Sequence, residues 1–221
     1  MPFTLDEAFD RIDMSLYQHS LLDCYSQPHR HYHNIDHIKE MLKHVPVDHV
    51  EAEIVLTAIL FHDLIYLPYP SSPGLNESLS VAEYIFYDAK AIVFEIPFGK
   101  NPGDVEFERR VIEAITATSR HLDDQPYLGK ASRLVLDLDL STFSLPRNDY
   151  LVWRDRIEKE NIEIYGKTVS PHDIQKGRYQ FLDQLSKRKQ LYYLKTEWES
   201  LARQNLEQDL IDLEYLMNKK S

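Results

Sequence analysis

Apolar residues recur at helical spacing along most of the chain, and strand-like alternation is scarce. Near the start, Thr4 and Glu7 form a capping-box pattern, and Leu5, Ala8, Phe9, Ile12, Leu16 and His19 share one side of a helix expected to reach about Cys24, where Gln27-Pro28 ends it. A second helix is expected from about Asn34 to just before Pro46, with His37, Ile38, Leu42 and Val45 as its apolar stripe. The third, EIVLTAILFHDLIY, is apolar almost throughout and puts Val55, Ala58, Ile59 and His62 on a buried face. The proline-rich LPYPSSPGLN predicts an irregular loop, and a fourth helix is expected from about Leu75 to Lys90. IPFGKNPGD then opens a helix carrying Ile112, Ile115 and His121. Ser170-Pro171 with Asp173 starts a later one, and two closing amphipathic segments cover the core. This pattern predicts an all-α, single-domain fold over residues 1–221, without internal repeats.

Against that background the ionisable residues inside apolar runs stand out. His62 and Asp63 close the most apolar helix, and a buried carboxylate without a partner costs several kcal/mol, on the order of 3–5. A divalent metal compensates such a pair, because it binds imidazole nitrogen and carboxylate oxygen together. Upstream, RHYHNIDHIKEML places His33 and His37 four residues apart, roughly 5–6 Å from each other on one helix face. Downstream, SRLVLDLDLSTF sets Asp137 and Asp139 in a run otherwise apolar from Leu134 to Leu140. LDLDL alone fits a strand as well as a helix. Three regions that each deliver His or Asp to the interior point to one shared metal site.

The order His37, His62-Asp63, Asp139 resembles the HD-domain superfamily of metal-dependent phosphohydrolases, whose ligands come as His, then His-Asp, then a distal Asp. His37-Ile38 and Asp137-Leu138-Asp139-Leu140 are similar to that family's first and last ligand motifs. Tyr32-His33, Tyr66 and Asn76-Glu77 resemble a small bacterial and phage branch of predicted phosphohydrolases, as do ITATSRH, GRYQFL and LARQNLEQDL, so the likeness spans nearly the whole chain. It implies an HD-type helical bundle, a helical Asp137–Asp139 segment, and metal ligation by His37, His62, Asp63 and Asp139. On a helix Asp137 and Asp139 point about 200° apart, which leaves Asp137 as a near-site acid.

The resemblance also implies chemistry. A divalent ion (Mn, Fe, Co, Ni, Zn or Mg) would activate a water for attack on a phosphate ester or anhydride of a nucleotide or related small metabolite. Asp63 would ligate and orient that water, Glu77 is a candidate general base, and His121 a candidate proton donor or second-metal ligand. Glu77 reads equally as a first-turn helix acid, and His121 as a residue stabilised by a helix C-terminus. His33 and Asn76 are candidate substrate contacts, His33 reading also as a plain hydrogen-bonding residue at a helix start; Arg30, Arg178, Arg120 and Lys176 are candidate phosphate contacts, each of which reads also, and more commonly, as a solvated surface charge. The acidic pair of alarmone hydrolases is replaced by Tyr66 and Leu67, and the Gly-Tyr-Pro motif of cyclic-dinucleotide phosphodiesterases is missing. Two alternatives stand beside hydrolysis: a diiron oxygenase on the same scaffold, for which only His121 supplies an extra histidine, and a helical binding protein with a structural metal.

Composition narrows the partners. A chain of 221 residues with 43% hydrophobic content can bury one sizeable core, and a net charge of −11 disfavours general nucleic-acid or anionic-membrane binding. The single cysteine, Cys24, excludes an internal disulfide; without a secretory signal pattern or an apolar stretch of about 20 residues, the expected location is cytoplasmic. Oligomeric state is left open.

Overall fold

The computed structural model describes residues 2–64 and 104–219, and among these every regular element is helical. Helix α1 (Leu5–Arg11) opens on the capping box: the Glu7 N–H donates to Thr4 Oγ1 at 3.2 Å, and the Thr4 N–H donates to the Glu7 carboxylate at 2.8 Å. It is seven residues long and does not run on to Cys24. Asp13 has a φ of 57°, in the left-handed region, and a 3-10 turn (Ser15–Tyr17) leads from it to α2 (Gln18–Tyr25). The break rotates Leu16 to 94% exposure and leaves His19 exposed, so the expected stripe ends at Ile12. Burial of Phe9, Ile12 and Met14 on either side offsets the roughly 1–2 kcal/mol that a left-handed residue costs.

Helix α3 (Ile35–Leu42) starts at Asn34, whose side chain accepts from the Asp36 N–H at 2.8 Å. Helix α4 (Ala52–Phe61) is buried at every position but Glu53, as befits a helix apolar on all sides. It packs against α5 (Val105–Thr118), capped by Asp104, and α6 (Lys130–Asp139). The LDLDL segment is therefore the end of a helix and not a strand. These elements, with α1 and α3, enclose the main apolar core.

A second cluster gathers Leu140, Leu182, Leu185, Tyr192 and Leu206 between α8 (Pro171–Ser186) and α9 (Glu199–Lys219). Helix α7 (Arg147–Tyr165) packs on α8. The two clusters meet where α6 ends: Tyr192 Oη donates to the Leu140 carbonyl at 2.8 Å, and Asn205 donates to the carbonyls of Phe143 and Leu145 at 2.9 Å each. That seam is where the polar residues singled out in the sequence converge. No helix among the described residues is long and apolar enough to cross a membrane.

Candidate metal centre and the cavity beside it

The buried helix α4 delivers the His-Asp pair at its C-terminus. His62 is the C-cap and Asp63 lies in the turn beyond, so the pair follows the helix end and is not within it. A helix end leaves carbonyls without partners, and here side chains supply the donors. Tyr25 Oη donates to the Leu60 carbonyl at 3.0 Å, and His62 Nδ1 lies 2.9 Å from the Ile59 carbonyl. Arg30, 4% exposed, donates to the carbonyls of Asp63 at 2.7 Å, Leu64 at 2.9 Å and His33 at 3.1 Å. Its Nε donates to Gln27 Oε1 at 2.9 Å, so in place of the expected substrate contact the guanidinium bonds within the protein and fixes the turn that presents Asp63.

The bond from His62 Nδ1 to a carbonyl sets that nitrogen as an N–H and turns Nε2 toward the site. His62 Nε2 lies 3.0 Å from Asp63 Oδ2, yet neither atom has a hydrogen-bond partner of acceptable geometry, and both are buried. His37, from the first turn of α3, is fully buried and approaches from the other side, with its ring centroid 5.5 Å from that of His62. Ligand atoms of His37, His62 and Asp63 all fall within 4.8 Å of one another, the spacing of a metal site.

Asp139, the last residue of α6, completes the cluster. One carboxylate oxygen lies 3.0 Å from His37 Nε2 and 3.6 Å from His62 Nε2; the other lies 2.7 Å from His121 Nε2. His121 stands in the turn after α5, beyond the helix expected to carry it, and Arg188 holds its carbonyl at 2.9 Å. Burial opposes charge on His62, Asp63 and Asp139 alike. Mutual attraction outweighs it, so His62 is raised well above the ordinary histidine value, while Asp63 and Asp139 are held well below the ordinary carboxylate range. Two buried carboxylates thus call for positive charge at this point.

Asp137 does not join them. It turns to the opposite side of α6 and accepts the backbone N–H groups of Tyr193, Leu194 and Lys195 at 2.7, 2.6 and 2.8 Å. Burial pushes its carboxyl up, with the three donors opposing. The near-site role expected of it is replaced by an anchor for the segment leading into α9.

His33 faces the centre from outside the ligand set. Its ring Nδ1 pairs with Glu160 of α7, which also accepts the N–H groups of Tyr32 at 2.8 Å and His33 at 3.0 Å. Burial opposes protonation of His33, but the Asp63 charge and Glu160 outweigh it and raise its pKa. Glu160 escaped the sequence reading, although a signal existed: it follows Tyr150, Trp153 and Ile157 and precedes Ile164 at three-and-four spacing, an acid on an apolar stripe.

Beside the centre lies a cavity of about 360 Å³, walled by His33, His121 and Asp139 at one end and by facing residues of α7 and α8 elsewhere. Arg178 lines it, with Nη2 donating to Asp209 at 2.9 Å. Asp209, also missed, sits on the stripe of Ala202, Leu206 and Leu213 and takes the Tyr150 hydroxyl at 2.6 Å. Arg120 is exposed and pairs with Asp123 at 2.7 Å, and Lys176 is exposed, so neither lines the cavity. Asn76 and Glu77, with the expected helix from about Leu75 to Lys90, lie outside the described residues. No protein-family model matches the chain, and no curated protein matches it.

Proposed function

We propose that the chain is an HD-type, metal-dependent phosphohydrolase that cleaves a phosphate ester or anhydride of a nucleotide or related small phosphorylated metabolite in the cytoplasm. One observation carries the reading. His62 Nε2 and Asp63 Oδ2 are buried, adjacent and without hydrogen-bond partners, beside His37 and Asp139. Buried polar atoms are nearly always paired, and an imidazole lone pair next to carboxylate oxygens is the donor set of a divalent cation.

His37, His62, Asp63 and Asp139 would hold the ion; His and carboxylate ligands suit Mn, Fe, Co, Ni, Zn and Mg alike. When bound, the ion supplies a water of lowered pKa and positive charge to offset that building on the phosphoryl oxygens. The chain's own groups do the rest. Asp63, fixed through its carbonyl by Arg30, orients the attacking water. His33, held by Glu160, faces the incoming phosphate. His121 stands on the cavity wall with one nitrogen against Asp139 and serves the leaving oxygen as proton donor.

A second metal is the other reading that the geometry favours, because the two oxygens of Asp139 face different histidines, His37 and His121. Metal stoichiometry separates them: one equivalent of bound Mn supports a single-ion site and two a bridged pair. The test of function is phosphate and pyrophosphate release from a panel of nucleotides, deoxynucleotides and alarmones with Mn, comparing the wild type with His62→Ala/Asp63→Ala. Release by the wild type alone is the expected result. Equal release by the double variant, or no release from any compound by a wild type that binds Mn, rejects the proposal.

A further inference from the structure

The cavity beside the metal centre has walls that phosphate chemistry alone does not require. On α7, Tyr150, Trp153, Arg154, Ile157 and Asn161 fall on one helical face, and on α8 so do Gly177, Arg178, Phe181 and Leu182. The space between these faces is largely apolar and aromatic. It ends at His33, His121 and Asp139, so a molecule whose phosphate lies at the centre extends its organic part between α7 and α8. The volume of about 360 Å³ falls at the small end of the range for small-molecule sites, roughly 300–1,000 Å³.

The polar groups on these walls are few and differ in availability. Every nitrogen of the Arg154 guanidinium is engaged, Nε and Nη2 by Asp155 and Nη1 by Asp209 and Asp212. Among the described residues, the Arg178 guanidinium bonds through Nη2 alone, and the Asn161 amide has no hydrogen-bond partner. Asp155, Asp209 and Asp212 offset the charges of Arg147, Arg154 and Arg178, so this end of the cavity is balanced and does not call for a second anion. Unused donors and one amide acceptor set in an aromatic slot match the edge of a neutral ring that carries its own donors and acceptors.

Gly177 adds an independent observation. A glycine inside a helix is destabilising by roughly the difference between its propensity and that of alanine, and a Cβ built on Gly177 meets nothing within 4 Å. Gly177 is solvent-exposed and also lines the cavity, so a side chain placed there would extend into open space along its wall.

We infer that the slot between α7 and α8 receives a planar heteroaromatic ring of nucleobase size, with Arg178 and Asn161 hydrogen-bonding to its edge. The inference rests on the phosphohydrolase reading only for the statement that this ring belongs to the substrate; occupancy of the slot is testable apart from hydrolysis. The chain has two tryptophans, and Trp153 lines the slot whereas Trp198 packs on Tyr192. In a Trp198→Phe background, fluorescence therefore reports Trp153 alone.

The experiment titrates this protein, stripped of metal with EDTA, with adenosine, guanosine, cytidine and uridine, and with toluene as a flat ring lacking a matching edge, exciting at the red edge of tryptophan absorption. The expected result is saturable quenching by at least one nucleoside and a dissociation constant at least about tenfold higher for toluene, as stacking plus edge bonds would give. Gly177→Leu, which fills the slot while improving helix propensity, raises the nucleoside dissociation constant by about tenfold or more, with the melting temperature unchanged or higher. Mn binding persists in that variant. No saturable quenching, toluene binding as well as every nucleoside, or nucleoside binding unaltered in a folded Gly177→Leu variant would each overturn the inference. Nucleoside binding without phosphate release from any nucleotide upholds the slot and rejects the hydrolase reading instead.

Discussion

Asp137 and Asp139 stand two residues apart at the end of one helix, both in an apolar run, and the protein treats them in opposite ways. Asp137 is surrounded by fixed backbone dipoles, three N–H groups at 2.6–2.8 Å that satisfy its carboxylate. Asp139 meets three imidazoles, at 3.0, 3.6 and 2.7 Å, beside a second carboxylate, Asp63, whose buried Oδ2 lies 3.0 Å from His62 Nε2 without a hydrogen bond. Backbone donors cannot be exchanged for anything else without unfolding the segment that carries them. Imidazoles can release a proton and accept a cation in its place. The first arrangement stabilises the fold, and the second holds chemistry open. The same residue type in the same helix turn is thus structural on one side and a candidate ligand on the other, by virtue of what faces it.

The comparison breaks most readily at Asp137. Asp137→Ala leaves three donors without their acceptor, and at about 1–3 kcal/mol for each unsatisfied group we expect a loss near 3 kcal/mol, since the segment is only partly shielded from water. Urea unfolding measures it. Asp137→Asn, which keeps one acceptor oxygen, recovers part of the loss, and both variants retain Mn binding. A loss under about 1 kcal/mol for the alanine variant means that Asp137 does not anchor this segment.

Asp139 is predicted to act through the ion. At an Mn concentration of 100 times its dissociation constant the wild type gains about 2.7 kcal/mol, a rise in melting temperature of roughly 5–10 °C for a chain of this size. Asp139→Ala loses that rise, whereas Asp137→Asn keeps it. Thermal scans with and without Mn settle the point, and a full Mn response in Asp139→Ala removes Asp139 from the ligand set.

What the sequence revealed, and what it hid, follows the same physics. His62, Asp63, His37 and Asp139 were legible because each interrupts an apolar periodicity that leaves an ionisable group no inexpensive place to go. Helices α3, α4, α5 and α8 were legible from their periodicity or their caps, whereas α7 was not singled out and the break at Asp13 was hidden, because a left-handed residue ends α1 early without disturbing the spacing of Ile12 and Leu16. Arg30 was weighed as a phosphate contact or a solvated charge, and its burial against backbone carbonyls was not foreseen, because it depends on where the end of α4 falls, a tertiary fact. Glu160 and Asp209 break apolar stripes as His62 does, but in helices so rich in charge that one more acid carries little contrast. The slot between α7 and α8 depends on which faces of the two helices meet, and spacing along either helix alone does not say which partner it faces.

Glu160 sharpens the comparison at its smallest scale, because it combines both modes: two backbone donors, as at Asp137, and one imidazole, as at Asp139. Burial raises its carboxyl, but the bond to His33, the His33 charge and the two backbone N–H bonds together outweigh this and hold it below its ordinary value of 4.5. A carboxylate with a depressed folded pKa contributes stability that is present above the unfolded value and lost as pH falls through the folded one. Glu160→Gln keeps an acceptor for the backbone but gives up the charge toward His33, so the variant should be less stable by about 1–2 kcal/mol at pH 7. The difference should shrink as the pH falls below 4.5. Urea titrations of both proteins between pH 7 and pH 3 follow it. If the gap is constant across that range, the titrating charge of Glu160 is not its source and the prediction fails. If it closes in acid, the charge facing His33 is the larger part, and the side chain that presents this histidine to the cavity is held by electrostatics and not by packing.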